Sequence, residues 1–390
     1  MAPKALKNLA RDQDRNAARP PRTRAGKGGG HDEADKASAP ERMRAPAGRA
    51  RLSDVAKRAG VSTATVSRTF NEPDKVSPAV RDKVLEAAQG LAWIPNAAGR
   101  ALASHRSHIA GIIIPTLDDE IFASQVSGMQ TGLAEHNMTL FISCTSYDPG
   151  EGLRQVKAML TRGVEAVAIV GEAHPPELFD ALRSHGVPYV VTYRWRPGSP
   201  HPVIGFDNRA AYERLTKHLL DLGHRRFGAV FQPSLNNDRV IDRIEGMRGM
   251  LARHGVTLDP AHFHEGGRGI EAGRAGLRAL VAAPSGPPTA VVCGNDHLAV
   301  GVLLEAAALG LRVPEDLSVT GFDDIALARQ LQPSLTSMRV DTYRIGRIAA
   351  DYVVARIKGD DRTLLQEIEP TFYARASTAA LETSPRVRRR

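Results

Sequence analysis

A run of short side chains that ends in an arginine, Ser62 to Arg68, has the composition of a helix that reads DNA. Thr63 and Ala64 lie at its start, where their methyl groups suit contact with the methyl group of thymine. Arg68 is long enough to reach a guanine edge or a phosphate. Hydroxyl groups can bond phosphates, which positions a helix without reading sequence. The residues assigned to such contacts are Ser53, Ser62, Thr65 and Ser67. In the alternative interpretation the serines only cap helices.

A second group of polar side chains follows the carboxyl ends of predicted strands, where ligands bind in doubly wound sheets. Asn295 comes after the apolar run Ala290–Cys293, and Asp323 comes after Ser318–Gly321. Arg243 lies near the start of a predicted helix and adds a charged donor. Amide, carboxylate and guanidinium groups of this kind can hold ligand hydroxyls. The alternative is that they cap helices and close loops.

Other candidate motifs do not support a catalytic or metal site. His262-Phe263-His264-Glu265 lacks further spaced ligands, so a surface loop is expected there. Gly267-Arg268-Gly269 does not follow a clear strand and so does not fit a dinucleotide-binding loop. Cys144 and Cys293 lie in apolar runs and are predicted to be buried structural thiols. No catalytic residue, metal or cofactor is therefore expected.

Three short helices are predicted over residues 51–95, with a tight turn at Gly60 between the first two. Ser53 can cap the first helix, and Ser77-Pro78 is a strong start for the third. The apolar face of the third helix is assigned to Val80, Val84, Leu85, Ala88 and Leu91. Short helices in this order are typical of a helix-turn-helix.

From about residue 108, apolar strands alternate with helices, which predicts parallel sheets covered on both faces. About 280 residues is long for one such unit, so two lobes with a cleft are expected. The first lobe is assigned to 108–206 and 340–363, and the second to 207–339 and 364–385. The predicted strands are Ile109–Ile114, Thr139–Cys144, Ala166–Val170, Tyr189–Thr192, Val203–Phe206, Phe227–Phe231, Ala290–Cys293 and Ser318–Gly321.

The 390 residues carry their excess positive charge at one end. Residues 1–106 hold 21 basic and 11 acidic side chains, whereas the rest of the chain has a net charge of −1. Residues 1–50 are rich in Ala, Arg, Gly and Pro, so a disordered basic tail is expected. No run of about 18 apolar residues and no apolar signal region is seen, which predicts a cytoplasmic protein without a membrane partner.

The segment Leu52–Arg68, followed by Asn71, Val76-Ser77 and Ile94-Pro95-Asn96, closely resembles the signature of the LacI/GalR family of bacterial transcription regulators. The resemblance implies a helix-turn-helix head on a two-lobed core like that of periplasmic binding proteins. It also implies a homodimer on double-stranded operator DNA, with a small-molecule effector in the cleft.

The same resemblance makes 96–107 a hinge helix and linker. Asn96 is then a DNA contact, and Leu102 is wedged into the minor groove at the centre of the operator. Gly99 departs from the usual alanine and costs about 1 kcal/mol of helix stability relative to alanine.

In the core, the resemblance implies an effector site built from six residues: Ile121, Phe122, Tyr193, Arg243, Asn295 and Asp323. Tyr193 stands where sugar-binding relatives often have an aspartate, and Arg194 and Arg196 nearby favour an anionic sugar acid. The stretch Val203–Asn208 looks like that of gluconate-type members. Plain sugars and purines stay open as ligands. A solute-binding protein or an enzyme on the same core fold is the alternative function.

Overall fold

The computed structural model describes residues 50–95 and 106–381. In the first range three helices pack together: α1 (Leu52–Ala59), α2 (Thr63–Asn71) and α3 (Pro78–Gly90), with a 3-10 turn between the last two. Gly60 has a φ of +67°, a left-handed conformation that glycine adopts without strain and that ends α1. The small core of this head consists of Val55, Ala56, Val66, Val84, Ala87 and Ala88.

Leu85 does not belong to the apolar face of α3, because its side chain is 44% exposed. The buried residues Val84, Ala87 and Ala88 follow the i, i+3, i+4 spacing of one helix face. Leu85 lies one residue, or about 100°, beyond Val84 and so turns away from that face. This part of the prediction was wrong.

The first lobe is a parallel six-stranded sheet in the order β11-β5-β4-β3-β1-β2. Its strands are β1 (Ile109–Ile114), β2 (Thr139–Cys144), β3 (Ala166–Val170), β4 (Tyr189–Thr192), β5 (Val203–Gly205) and β11 (Leu365–Glu367). Its helices are α4 (Glu120–Ala134), α5 (Pro149–Thr161), α6 (Pro176–Ser184) and α11 (Thr342–Ile357). Alternate residues of the strands face opposite sides of the sheet. Ile112 packs with α4 and α11, whereas Ile113 packs with α5 and α6.

The second lobe is a parallel four-stranded sheet in the order β7-β6-β8-β9. Its strands are β6 (Phe227–Phe231), β7 (Phe263–Glu265), β8 (Ala290–Cys293) and β9 (Ser318–Thr320). Its helices are α7 (Asn208–Asp221), α8 (Asp238–Arg253), α9 (Gly269–Val281) and α10 (Asp296–Ala308). A separate antiparallel pair joins β10 (Ser337–Arg339) to β12 (Thr371–Tyr373). The predicted α/β core with parallel doubly wound sheets is confirmed.

All eight predicted strands form, six of them with the predicted bounds and two of them one residue shorter. The chain passes between the lobes three times: after β5, after β10 and after β11. β11 pairs with β5 of the first sheet, which differs from the predicted assignment of 364–385 to the second lobe.

The segment His262–Glu265 is not a surface loop. Its last three residues form β7, which pairs with β6, and His262 is buried and bonds the Gly286 carbonyl at 2.8 Å. Cys293 is buried as predicted, whereas Cys144 at the end of β2 is only half-buried. None of the helices within 50–95 and 106–381 is long and apolar enough to cross a membrane.

Candidate DNA-binding head and effector cavity

The start of α2 presents short side chains to solvent. Ser62 caps the helix, since its Oγ accepts a hydrogen bond from the Thr65 backbone N–H at 3.1 Å. The Ser62 and Thr65 hydroxyls also lie 2.9 Å apart. Beyond this cap, Thr63, Ala64 and Arg68 are exposed. The three residues predicted to read bases therefore lie on the open surface of one helix.

The residues assigned to phosphate contacts have less uniform surroundings. Ser67 is half-buried, and its Oγ accepts a bond from Asn71 Nδ2 at 3.1 Å. Ser53 is exposed but sits in the first turn of α1, which begins at Leu52, so it does not cap that helix. Asn96, Leu102, most of the predicted hinge and the predicted tail lie outside the described residues.

A cavity of about 430 Å³ lies between the two lobes of the core. All six residues predicted to bind an effector line it: Ile121, Phe122, Tyr193, Arg243, Asn295 and Asp323. The first three come from the first lobe and the other three from the second. A ligand in this cavity would therefore touch both lobes at once.

Arg243 is held on the second-lobe wall by neutral partners. Its Nε donates to Asn208 Oδ1 at 2.9 Å, and its Nη1 donates to the Gly294 carbonyl at 2.8 Å. Its guanidinium carbon lies 4.1 Å from the centre of the Phe322 ring, within cation–π distance. These contacts orient the group, and no carboxylate of a described residue lies within ion-pair distance of it.

Asp323 lies beside Arg243 and is buried, with a φ of +109° that only a constrained site retains in a non-glycine residue. Burial raises the pKa of Asp323 well above its usual range, an effect that the Arg243 charge opposes. Asn295 caps α10 through a bond from the Leu298 backbone N–H to its Oδ1 at 3.0 Å. Asn295 thus performs the helix-capping role of the alternative interpretation and lines the cavity as well.

The first-lobe wall is aromatic. The Tyr193 ring lies 5.3 Å from the Phe122 ring, and its hydroxyl donates to the Ile121 carbonyl at 2.8 Å. Tyr193 is 1% exposed, and this burial raises the pKa of its hydroxyl well above the usual value. It therefore supplies a rigid apolar surface rather than an ionisable group.

Arg194 and Arg196 do not line the cavity, which removes the predicted reason for expecting an anionic ligand. Arg194 donates to both carboxylate oxygens of Asp242 at 2.7 and 3.1 Å, and to Glu172 at 2.8 Å. Arg196 donates twice to the same Glu172 oxygen, at 3.0 and 2.9 Å. Both guanidinium charges are neutralised by carboxylates, and Asp242 belongs to the second lobe, so Arg194 ties the two lobes together.

Several cavity residues were missed by sequence reasoning: Asp118, Asp119, Tyr147, Gln232, Arg239, Arg268 and His297. Tyr147 and Gln232 follow the carboxyl ends of β2 and β6, so the rule that identified Asn295 would also have found them. Arg268 stood in a glycine-flanked motif that was tested only as a dinucleotide loop. Within the two described ranges no group of three metal-ligating side chains is found.

The comparisons with known proteins agree with both parts of this architecture. A model for bacterial regulatory proteins of the lacI family matches residues 51–96, and a model for a periplasmic binding protein-like domain matches residues 216–378. The HTH-type transcriptional repressor CytR of Escherichia coli (strain K12) is 31% identical over 310 residues, which are 80% of this chain and 90% of CytR.

Two solved structures extend the likeness to the fold. A LacI family transcriptional regulator from Silicibacter pomeroyi has a TM-score of 0.78 and 27% identity, covering 85% of this chain and all of that one. The transcription regulator GntR from Chromobacterium violaceum has a TM-score of 0.65 and 28% identity, covering 69% of this chain and 99% of that one. The chain belongs to the lacI family of bacterial regulatory proteins, and it is a ligand-responsive, DNA-binding transcriptional regulator.

Proposed function

We propose that this regulator binds a pseudo-palindromic operator as a homodimer and that a sugar or sugar acid in the interlobe cavity changes its affinity for that operator. The observation that carries the proposal is the convergence of six residues from two lobes on one cavity. Because both lobes contribute residues to the cavity, a bound ligand can stabilise one relative placement of the lobes. Coupling to a distant DNA site requires such a difference in stability between two states.

The chemistry of the cavity supports a hydroxyl-rich ligand. Gln232 Oε1 and Asn237 Oδ1 line it, are buried, and lack a hydrogen-bond partner among the described residues. A buried acceptor without a donor is costly, so a ligand that supplies O–H donors would bind with a gain at both positions. The Arg243 guanidinium adds a fixed donor on the same wall.

The head supports direct reading of the major groove by α2. Under this proposal Thr63 and Ala64 contact base edges, Arg68 reaches a base or a phosphate, and the serine and threonine hydroxyls bond phosphates. The predicted hinge residues Asn96 and Leu102 contribute contacts in the minor groove under this proposal. The protein acts in the cytoplasm and regulates transcription without catalysing a reaction.

The experiment is a thermal-shift screen of sugars, sugar acids and purines, in which each stabilising compound is retested for its effect on operator binding. A compound at 100 times its dissociation constant adds about 2.7 kcal/mol of stability. The expected result is that a sugar or sugar acid both stabilises the protein and changes the mobility shift of operator DNA. Stabilisation by purines alone would contradict the ligand class.

Two substitutions in α8 test whether Arg243 belongs to the effector site. Arg243→Ala is expected to abolish the response to the effector while leaving operator binding in its absence intact. Arg248→Ala is the matched control, since it removes the same charge from an exposed residue of α8 outside the cavity. Because Arg243 also bonds Asn208 and the Gly294 carbonyl, the folded state of both variants is verified by urea unfolding. A retained response in folded Arg243→Ala would contradict the pocket assignment.

A further inference from the structure

Arg268 and Tyr147 meet at the mouth of the cavity from opposite lobes. Arg268 precedes α9 in the second lobe, and Tyr147 follows β2 in the first. The guanidinium carbon of Arg268 lies 3.7 Å from the centre of the Tyr147 ring. Both residues line the cavity, so a bound molecule can contact this stacked pair.

Arg268 brings a charge that the protein itself does not neutralise. No carboxylate of a described residue lies within ion-pair distance of Arg268 or Arg243, whereas Arg239, the third arginine of the cavity, pairs with Asp238 at 3.0 Å. Stacking on Tyr147 occupies one face of the Arg268 guanidinium. The planar, paired N–H groups of a guanidinium match a carboxylate or a phosphate.

The acidic side chains of the cavity do not cancel this charge. They are Asp118, Asp119 and Asp323, and none of them lies within ion-pair distance of Arg268. Burial raises the pKa values of Asp119 and Asp323, so both carboxyl groups hold a proton more readily than usual. Arg243 and Arg268 are therefore the arginines of the cavity whose guanidinium groups an anionic ligand can pair with.

The backbone around Arg268 also favours the binding of an anion. Arg268 is the N-cap of the thirteen-residue helix α9, and no side chain caps that end. The open N–H groups of a helix start attract anions. The 2% exposed Asn237, which lines the same cavity, has an Oδ1 without a partner among the described residues, and a ligand hydroxyl could satisfy it.

We infer that the effector is a polyhydroxylated acid whose anionic group is bound by Arg268 at the start of α9 while its hydroxyls are bound by Gln232 and Asn237. The inference rests on the proposed function and narrows it from sugars in general to molecules with an acidic oxygen group. A carboxylate and a phosphate satisfy the same donors, so the test includes both. Arg268 is a specificity-determining residue under this inference, because its guanidinium can pair with an acidic group and gains no ion pair from a neutral polyol.

The test measures binding to the intact protein by isothermal titration calorimetry with matched probes. The carboxylates are gluconate, galactonate and glucuronate, the phosphate is glucose 6-phosphate, and the neutral counterparts are sorbitol, galactitol and glucose. An acid is expected to bind at least tenfold more tightly than its neutral counterpart. Preference among the acids then separates carboxylate from phosphate as the bound group.

Arg268→Gln is expected to lower the affinity for the acid by tenfold or more, and Arg268→Lys to recover part of it. Arg226→Gln, which removes the same charge from an exposed residue outside the cavity, is expected to leave the affinity unchanged. Arg268 is itself exposed, so its substitution spares the fold, and urea unfolding of each variant checks this.

Neutral polyols that bind as tightly as the acids would overturn the inference and leave the proposed function standing. An acid whose affinity is unchanged in Arg268→Gln would overturn the role of Arg268. Binding by none of the seven probes would overturn the hydroxyl-rich ligand class itself and, with it, both proposals.

Discussion

Two alanine substitutions in α8, three residues apart, are expected to change stability in opposite directions. Gly246 faces α7, and a Cβ atom there would lie 3.0 Å from the Cα and carbonyl carbon of Arg209 and nearer still to its oxygen. Gly249 faces open space, since the nearest atom to its Cβ would be Arg253 Nη1 at 4.0 Å. The two positions share one helix, so they differ in packing and not in helix propensity.

The magnitudes follow from this difference. Replacing glycine by alanine inside a helix stabilises it by about 1 kcal/mol, which is the whole effect expected at Gly249. At Gly246 the new methyl group must push two helix backbones apart, and overpacking of this kind costs about 1–3 kcal/mol. Backbone atoms cannot rotate away as a side chain can, so we expect the upper part of that range and a net loss of about 1–2 kcal/mol.

The displacement would also reach the cavity. Asn208, the first residue of α7, accepts the hydrogen bond from Arg243 Nε, and Arg209 follows it directly. Moving the start of α7 away from α8 lengthens that bond and releases the guanidinium from its position over Phe322. Gly246→Ala is therefore expected to weaken effector binding by about tenfold, or ~1.4 kcal/mol, while Gly249→Ala leaves it unchanged.

The assay is urea unfolding of wild type and both variants, followed by far-ultraviolet circular dichroism, with effector titration of each folded protein. A lower midpoint for Gly246→Ala and a higher one for Gly249→Ala, at equal slopes, is the expected result. Equal stabilisation by both substitutions would refute the close approach of α7 and α8, and with it the explanation for glycine three residues after Arg243.

Three further predictions concern the pH, the lobe contact and the operator. Burial raises the pKa of Asp296 from 3.8 to about 6. Between these pH values the folded protein keeps a proton that the unfolded chain has already released. Stability should thus fall by up to about 3 kcal/mol between pH 4 and 6, a slope that Asp296→Asn removes in pH-dependent urea unfolding. Arg194→Met and Asp242→Leu should show a coupling of about 1–3 kcal/mol in a double-mutant cycle, and additive effects would argue against their ion pair. Thr63 substitutions should change base preference across an operator panel, whereas Ser67→Ala should weaken all sequences alike; uniform loss for Thr63 would remove it from the base readers.

The long elements could be predicted because their residues alone select them. Continuous apolar runs such as Ile109–Ile114 cannot be exposed on either face, so they indicate a parallel strand between two helix layers. The short strands β7, β10, β11 and β12 were missed, since none is a continuous apolar run and each depends on a partner strand for its conformation. Leu85 shows the same limit within a helix, because the width of a buried face depends on what covers it.

The residues of the effector site also fall into those that the sequence could predict and those that it could not. Asn295 and Asp323 were identifiable, because a polar residue after a buried strand lies at a fixed edge of the sheet. Arg243 was identifiable as a charged donor near the start of a predicted helix, and the resemblance implied its place in the effector site. Arg268 was missed, and Arg194 was given a role that its ion pair with Asp242 excludes.

Sequence by itself determined the identity of the head, the two-lobed core and the strand ends that carry the cavity, since local pattern and chain order decide these. Only the tertiary structure decided which charges remain available to a ligand. Arg194 and Arg268 are alike as residues, but one lies against carboxylates of both lobes and the other against an aromatic ring. The energy of a charge depends on its neighbours within a few ångströms, and residues distant in the chain supply those neighbours.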